Sequence, residues 1–138
     1  MGTKSREHLY GTSVRMSAER ARDARIEADK LACIAWSQRM LGFRGPAQPS
    51  PMLGDALNAG FRYLEVRCAG CELHSTVDLT TVRRPKETTP IHELERRMAC
   101  KDCSRVRGYR YKRGQLVALR QTPISANDPP SAWWPGER

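Results

Sequence analysis

The sequence predicts an α+β fold: an N-terminal α-helix, then a small domain of short strands and turns, then an extended C-terminal tail. Three observations carry this. Residues 17–41 contain neither Pro nor Gly. Short runs with strand-like alternation occur at Phe61–Arg67, Glu72–Leu79, Val106–Tyr111 and Leu116–Leu119. Two Cys-x-x-Cys pairs, Cys68/Cys71 and Cys100/Cys103, lie among those runs with 28 residues between them.

Residues 1–16 are polar and aperiodic, which predicts a disordered N-terminus, and Met16-Ser17-Ala18 offers an alternative start. In the helix expected over 17–41, Ser17 is placed to cap and Glu19 lies in the first turn, where the helix dipole favours an acid. Ala21, Ala24, Ala28, Leu31 and Ala35 recur at helical spacing as one narrow face. Arg25 and Asp29 form an i,i+4 pair of opposite charge. The second half, with Leu31, Cys33, Ile34, Trp36, Met40 and Leu41, is apolar around much of its circumference. It is expected to pack on the domain that follows or on a second copy.

A Pro/Gly linker over 42–50 separates this helix from the domain at 51–120. A short helix from Pro51 to about Ala59 is closed by Gly60. The strand Phe61–Arg67 delivers Cys68, and Glu72–Leu79 returns beside it. A third helix runs from Ile91 to about Ala99, with Thr89 as cap and Pro90 as its first residue, and leads into Cys100. Val106–Tyr111 and Leu116–Leu119 then form a hairpin about Lys112-Arg113-Gly114. The tail, 121–138, carries Pro123, Pro129, Pro130 and Pro135 and is expected to be extended. Trp133 and Trp134 within it are expected to fold back over the domain, the alternatives being a hook for a partner or a platform for bases.

The cysteines carry the clearest chemistry. Each Cys-x-x-Cys places two thiolates on one turn, and two such turns complete a tetrahedron about one Zn²⁺. Disulfides fit less well, because no secretory signal segment precedes the domain and Cys33 is unpaired, a buried thiol on the apolar helix. Four thiolates also suit an iron–sulfur cluster, as the lesser alternative. His74, three residues past Cys71, and His92 are the other ligand candidates and are read as surface or supporting groups. In the first turn, Ala69-Gly70 allows the positive φ that such turns often need. Cys68, Cys71, Cys100 and Cys103 are therefore assigned as ligands of a zinc-ribbon domain. A four-cysteine site leaves no open coordination position, and the sequence shows no acid pair, Ser–His–Asp arrangement or phosphate-binding Gly loop, so no enzyme is expected. The longest apolar run, Leu31–Trp36, is too short for a membrane span, and a cytoplasmic protein is expected.

The formal charge is +9, and residues 83–120 hold 12 of the 24 Lys and Arg but only 4 of the 15 acids. Such a concentration points to a polyanion. Within Arg105–Arg113, a strand would set Arg105, Arg107, Tyr109, Tyr111 and Arg113 on one face, with Val106, Arg110 and Lys112 on the other. Arginine and tyrosine on one face suit phosphate contact with ring stacking, although Tyr rings under Arg stems would look the same. Arg83 and Arg84, with Lys86, form a second cluster, and Arg96, Arg97 and Lys101 a third.

The arrangement Leu53-Gly54-Asp55-Ala56-Leu57, Gly60, a strand, Cys68-Ala69-Gly70-Cys71 and then Thr89-Pro90-Ile91-His92-Glu93-Leu94 through Cys100-Lys101-Asp102-Cys103 resembles a group of small alphaproteobacterial zinc-ribbon proteins with no established activity. The resemblance covers about residues 50–120. It implies a zinc ribbon with the same four cysteines as ligands. Related members often carry Gly after the last cysteine, where this chain has Ser104.

The expected function is non-enzymatic nucleic-acid binding in a regulatory role, with Zn²⁺ holding the ribbon. Arg83, Arg84, Arg105, Arg107, Arg110, Lys112 and Arg113 would contact phosphates, and Tyr109 and Tyr111 would stack or position. DNA is the first expectation and RNA the second, with weak sequence preference. The alternative is a zinc-stabilised protein-interaction module, self-associating through the N-terminal helix or binding a partner through Trp133 and Trp134. No membrane partner is expected.

Overall fold

The computed structural model describes the backbone of residues 3–42 and 47–132, and the side chains of 11–41 and 47–132. It is an α+β arrangement in which a long helix leans on a three-stranded antiparallel sheet. The helices are α1 (Thr3–Gly42), α2 (Leu53–Asn58) and α3 (Lys101–Arg107). The strands are β1 (Tyr63–Cys68), β2 (His74–Asp78) and β3 (Gly114–Arg120), in the order β2-β1-β3. A 3₁₀ turn (Leu79–Thr81) and a 3₁₀ helix (Ile91–Arg97) lie between β2 and α3.

The central strand β1 sets the layers. Leu64 and Val66 face the core with Leu116 and Leu119 of β3, the two pairs being in register across a bulge at Glu65/Val66. Trp36 and Met40 from α1, Leu53 from α2, and Leu79, Ile91 and Leu94 close over them. The third helix is 3₁₀ rather than α, and Ile91 and Leu94 are its buried residues. At three residues per turn, positions i and i+3 eclipse, and both side chains enter the core. Its cap also differs from expectation: Pro90 precedes the helix without a side-chain bond, and the buried Thr89 instead binds α2's approach, with Leu53 N donating to Thr89 O at 2.8 Å. Gly60 closes α2 as expected, with φ +88°.

Helix α1 begins at Thr3, so the stretch expected to be disordered is helical from there on. Only Gly11 interrupts it before Gly42, and a helix once nucleated extends through ordinary residues at little cost. Its buried stripe is Asp29, Cys33, Trp36 and Met40, spaced i, i+4, i+7 and i+11. The expected Ala21/Ala24/Ala28/Leu31/Ala35 face is instead in solvent, with Leu31 58% exposed. Polar anchors fix this choice. Asp29 accepts bonds from Arg25 and from Asn58 Nδ2 (2.9 Å), and Trp36 Nε1 donates to Ala47 O (3.1 Å). Ser37 Oγ accepts Leu119 N at 3.1 Å, and Glu95 Oε2 accepts Leu116 N at 3.2 Å, so the free edge of β3 is closed by side chains.

Two further differences concern the last third of the domain. Val106–Tyr111 is not a strand: Lys101–Arg107 is helix α3, and residues 109–113 are irregular. Cys100 Sγ caps the helix by accepting Cys103 N, and Gly108 ends it at φ +77° with its N–H bonded to Ser104 O. β3 therefore pairs with β1 alone, and no hairpin forms about residues 112–114. The tail from Gln121 to Ala132 is not simply extended: it crosses the outer side of the sheet and folds into a tight turn over 125–128, where Ser125 and Asp128 exchange backbone hydrogen bonds at 2.9 and 3.1 Å. Trp133 and Trp134 lie outside the described residues.

Candidate metal centre

The sheet carries Cys68 at the end of β1, and the turn that follows carries Cys71. Cys100 and Cys103 belong to the first turn of α3. Their Sγ atoms all lie within 4.8 Å of one another, and the four cysteines are free thiols. Sulfurs placed 2.3 Å from a common tetrahedral centre sit about 3.8 Å apart. The spacings here are 3.7 Å for Cys68–Cys103 and 3.6 Å for Cys71–Cys100. The donor set thus fits one four-coordinate metal ion.

Backbone N–H groups prepare the sulfurs for negative charge. Gly70 N donates to Cys68 Sγ and Cys103 N to Cys100 Sγ, each at 3.4 Å. The thiols perturb one another unequally. For Cys68, desolvation acts upward but is outweighed by N–H donation from Cys71 and Gly70, leaving its pKa lowered. Cys71 is raised: donation from Leu73 N–H opposes desolvation and the neighbouring thiols, which win. Cys103 is pushed up to about 12, first by desolvation and then by the other three thiols. Four clustered thiolates need a cation to ionise together.

The loop after α3 joins the two halves of the site. Ala69 N donates to Arg113 O (2.9 Å) and Cys100 N to Tyr111 O (3.1 Å). Ser104 accepts Tyr111 N through its Oγ at 2.9 Å. Gly70 is required for room and not for its dihedral: a Cβ there would lie 2.7 Å from the Tyr111 ring. The positive φ of this turn falls on Glu72 (φ +63°). Neither histidine joins the cysteines. His74 Nδ1 lies 2.6 Å from Glu65 Oε2, and His92 Nδ1 lies 2.9 Å from Ser50 Oγ. Cys33 is enclosed between α1 and the core, and burial pushes its thiol up to about 12, which leaves it inert.

The basic residues divide. Arg107, Tyr109, Arg110, Tyr111, Lys112 and Arg113 line one groove of about 980 Å³ beside the cysteines, together with Arg96 and Glu95. An adjoining groove of about 570 Å³ is lined by Glu93, Arg96, Arg97, Arg110 and Lys112. Arg105 lies outside both and pairs with Asp102 at 3.5 Å. Arg83 and Arg84 are exposed just after the 3₁₀ turn that follows β2, at the Tyr63/Asp78 end of the sheet. The grooves lie at the opposite end, by Cys68 and Gly114. A six-residue strand of about 20 Å separates these two places. The single Arg/Tyr face expected of a strand at 105–113 does not exist, because α3 and the loop share those residues.

Sequence reading missed a second polar centre. Glu65, fully buried on the outer side of β1, bonds His74, Arg120 Nη1 (2.9 Å), and Ser131 through both N and Oγ. Arg120 in turn holds the tail through Asp128 (2.7 Å) and the carbonyls of Asp128 and Pro129. An acid in an alternating strand reads as a solvent-facing residue. The only signal was the tail itself, which supplies the cover.

Comparison with protein-family models, with curated proteins and with solved structures finds no match for this chain. Among the described residues no helix is long and apolar enough to cross a membrane.

Proposed function

We propose that this protein is a non-enzymatic, zinc-ribbon nucleic-acid-binding protein with a regulatory role. Zn²⁺ held by Cys68, Cys71, Cys100 and Cys103 would act as a structural cross-link between the end of β1 and the start of α3. The observation that carries the reading is one of position. The four-cysteine cluster anchors both ends of the 104–113 segment, and that segment forms a wall of the grooves lined by Arg96, Arg97, Arg110 and Lys112. None of these four cations has an ion-pair partner among the described residues. Unpaired cations on a metal-fixed scaffold are suited to phosphate contact.

The test is metal analysis of the purified protein followed by salt titration of polynucleotide binding. One zinc per chain is expected, with affinity that falls steeply as salt rises. Salt-independent binding, or none, would count against the reading.

A second reading, a self-associating interaction module, draws on α1. All side chains over 13–28 are exposed, and Val14, Met16, Ile26, Leu31 and Ile34 are large apolar groups in solvent. Sedimentation equilibrium across salt concentrations tests it, since apolar association responds weakly to salt.

A further inference from the structure

We infer that the groove beside the cysteine cluster receives a single strand of DNA or RNA and not a duplex, an inference that rests on the nucleic-acid reading above and narrows it.

Shape is the first argument. Proteins that read duplex DNA insert a helix or a two-stranded ribbon into a major groove about 12 Å wide. This surface offers neither. The first turn of α3 is built from the metal-capable Cys100 and Cys103, so it cannot lead into a groove, and the helix is only seven residues long. The ribbon that residues 106–119 would have formed is replaced by α3 and an irregular loop. The cations instead line a concavity, with Arg96 on the 3₁₀ helix and Arg110, Lys112 and Arg113 on the facing loop, and Arg97 extends it into the adjoining groove. A concave basic surface suits the slimmer ligand, whose backbone it can track.

The aromatic residues are the second argument, because they have separated into two roles. Tyr111 is a wall: the Arg107 guanidinium lies over its ring at 4.2 Å, and its edge is pressed against Gly70. Tyr109 meets Tyr111 only edge-on, with centroids 6.5 Å apart, and remains 59% exposed at the groove. An open ring beside four unpaired cations is the pairing that single-strand binders use, where an unstacked base lies on the ring and phosphates meet the cations. A duplex hides its base faces and gains nothing from Tyr109.

The experiment uses the full-length, zinc-loaded protein and fluorescence anisotropy. The probes are 12-mer oligo-dT, 12-mer oligo-U and a 12-base-pair DNA duplex at matched salt. At least tenfold tighter binding of one or both single strands is expected, and comparison of the two reports the preferred sugar. Four phosphate contacts predict a log–log salt slope near −3, or about a 50-fold loss between 50 and 200 mM salt. Tyr109→Ala should weaken single-strand binding about tenfold without changing that slope, and Tyr109→Phe should restore it. Duplex binding equal to or tighter than single-strand binding overturns this inference while leaving the nucleic-acid reading in place. Unchanged affinity in Tyr109→Ala overturns the stacking role. No binding to any probe, with zinc retained, overturns the underlying reading itself.

Discussion

The two ends of the sheet balance their cations differently. At the Tyr63/Asp78 end the two arginines that fasten the sheet are matched, while Arg83 and Arg84 stay exposed: Arg62 forms a forked contact to Asp78 at 2.8–3.2 Å, and Arg120 is shared between Glu65 and Asp128. At the Cys68/Gly114 end Arg67 pairs with Glu72 at 3.2 Å and Arg105 with Asp102 at 3.5 Å. Arg96, Arg97, Arg110, Lys112 and Arg113, which line the grooves there, have no ion-pair partner among the described residues. Matched charge fixes architecture, because a buried ion is retained only where partners replace its water. Unmatched charge at a surface adds little to the fold and is available to a ligand. The structural task at that second end falls to the four thiols instead. One sheet thus carries two different fastenings, an ionic one that is complete within the chain and a sulfur one whose chemistry calls for a metal.

The sulfur end offers the largest test of this contrast. Cys100→Ser, or removal of metal by a chelator, should forfeit a large part of a binding energy that is about 10–16 kcal/mol for structural zinc. Hydrogen exchange should show protection lost first over 98–114. A variant that stays folded with no bound metal would dissolve the contrast.

At the ionic end, Glu65→Ala leaves Arg120 largely buried and deprived of its strand partner, at a cost of about 3–5 kcal/mol in urea unfolding. It should also free the tail beyond Arg120, seen as proteolytic cleavage near Ser131. Less than 1 kcal/mol with an intact tail would mean that Glu65 is not the fastening.

The unmatched cations should show the reverse profile. Arg110→Ala and Lys112→Ala are expected to change stability by no more than about 0.5 kcal/mol. Each should reduce the salt slope of single-strand binding by about 0.7. If either variant unfolds the domain, the cations are structural after all.

The smallest effect is one of pH. Arg62 donates to Asp78 and holds its carboxyl well below the usual carboxylate range, with Thr80 assisting. A carboxyl depressed on folding contributes stability that is fully present above its unfolded pKa of about 4 and is lost as pH falls through the folded value. Asp78→Asn should therefore flatten the stability profile below pH 4 and leave the profile near neutrality parallel to wild type. Identical acid limbs would show that the pair is idle.

Legibility in the sequence followed the range of the interactions. Cys68, Cys71, Cys100 and Cys103 declare themselves by spacing, and the structure gathers them. β1, β2 and β3 lie where apolar alternation placed them, because one side of each strand does meet the core. Residues 105–111 misled because alternation of Arg and Tyr has no apolar partner to enforce a strand. A sulfur cap at Cys100 and an αL glycine at Gly108 made a helix there instead. On α1, alanine spacing marked one face, but Asp29, Trp36 and Ser37 select another through bonds to Asn58, Ala47 and Leu119, which are distant in sequence. Glu65 was invisible for the same reason: its partners come from β2, β3 and the tail.

The most direct test of the account is salt-titrated binding of a single-stranded oligonucleotide, measured on metal-loaded protein and again after chelation. The account predicts one zinc per chain, a log–log slope near −3 with metal, and loss of binding when the metal is removed. Binding that is indifferent to metal removal, or flat with salt, would contradict the claim that the cysteines hold in place the cations that meet the ligand.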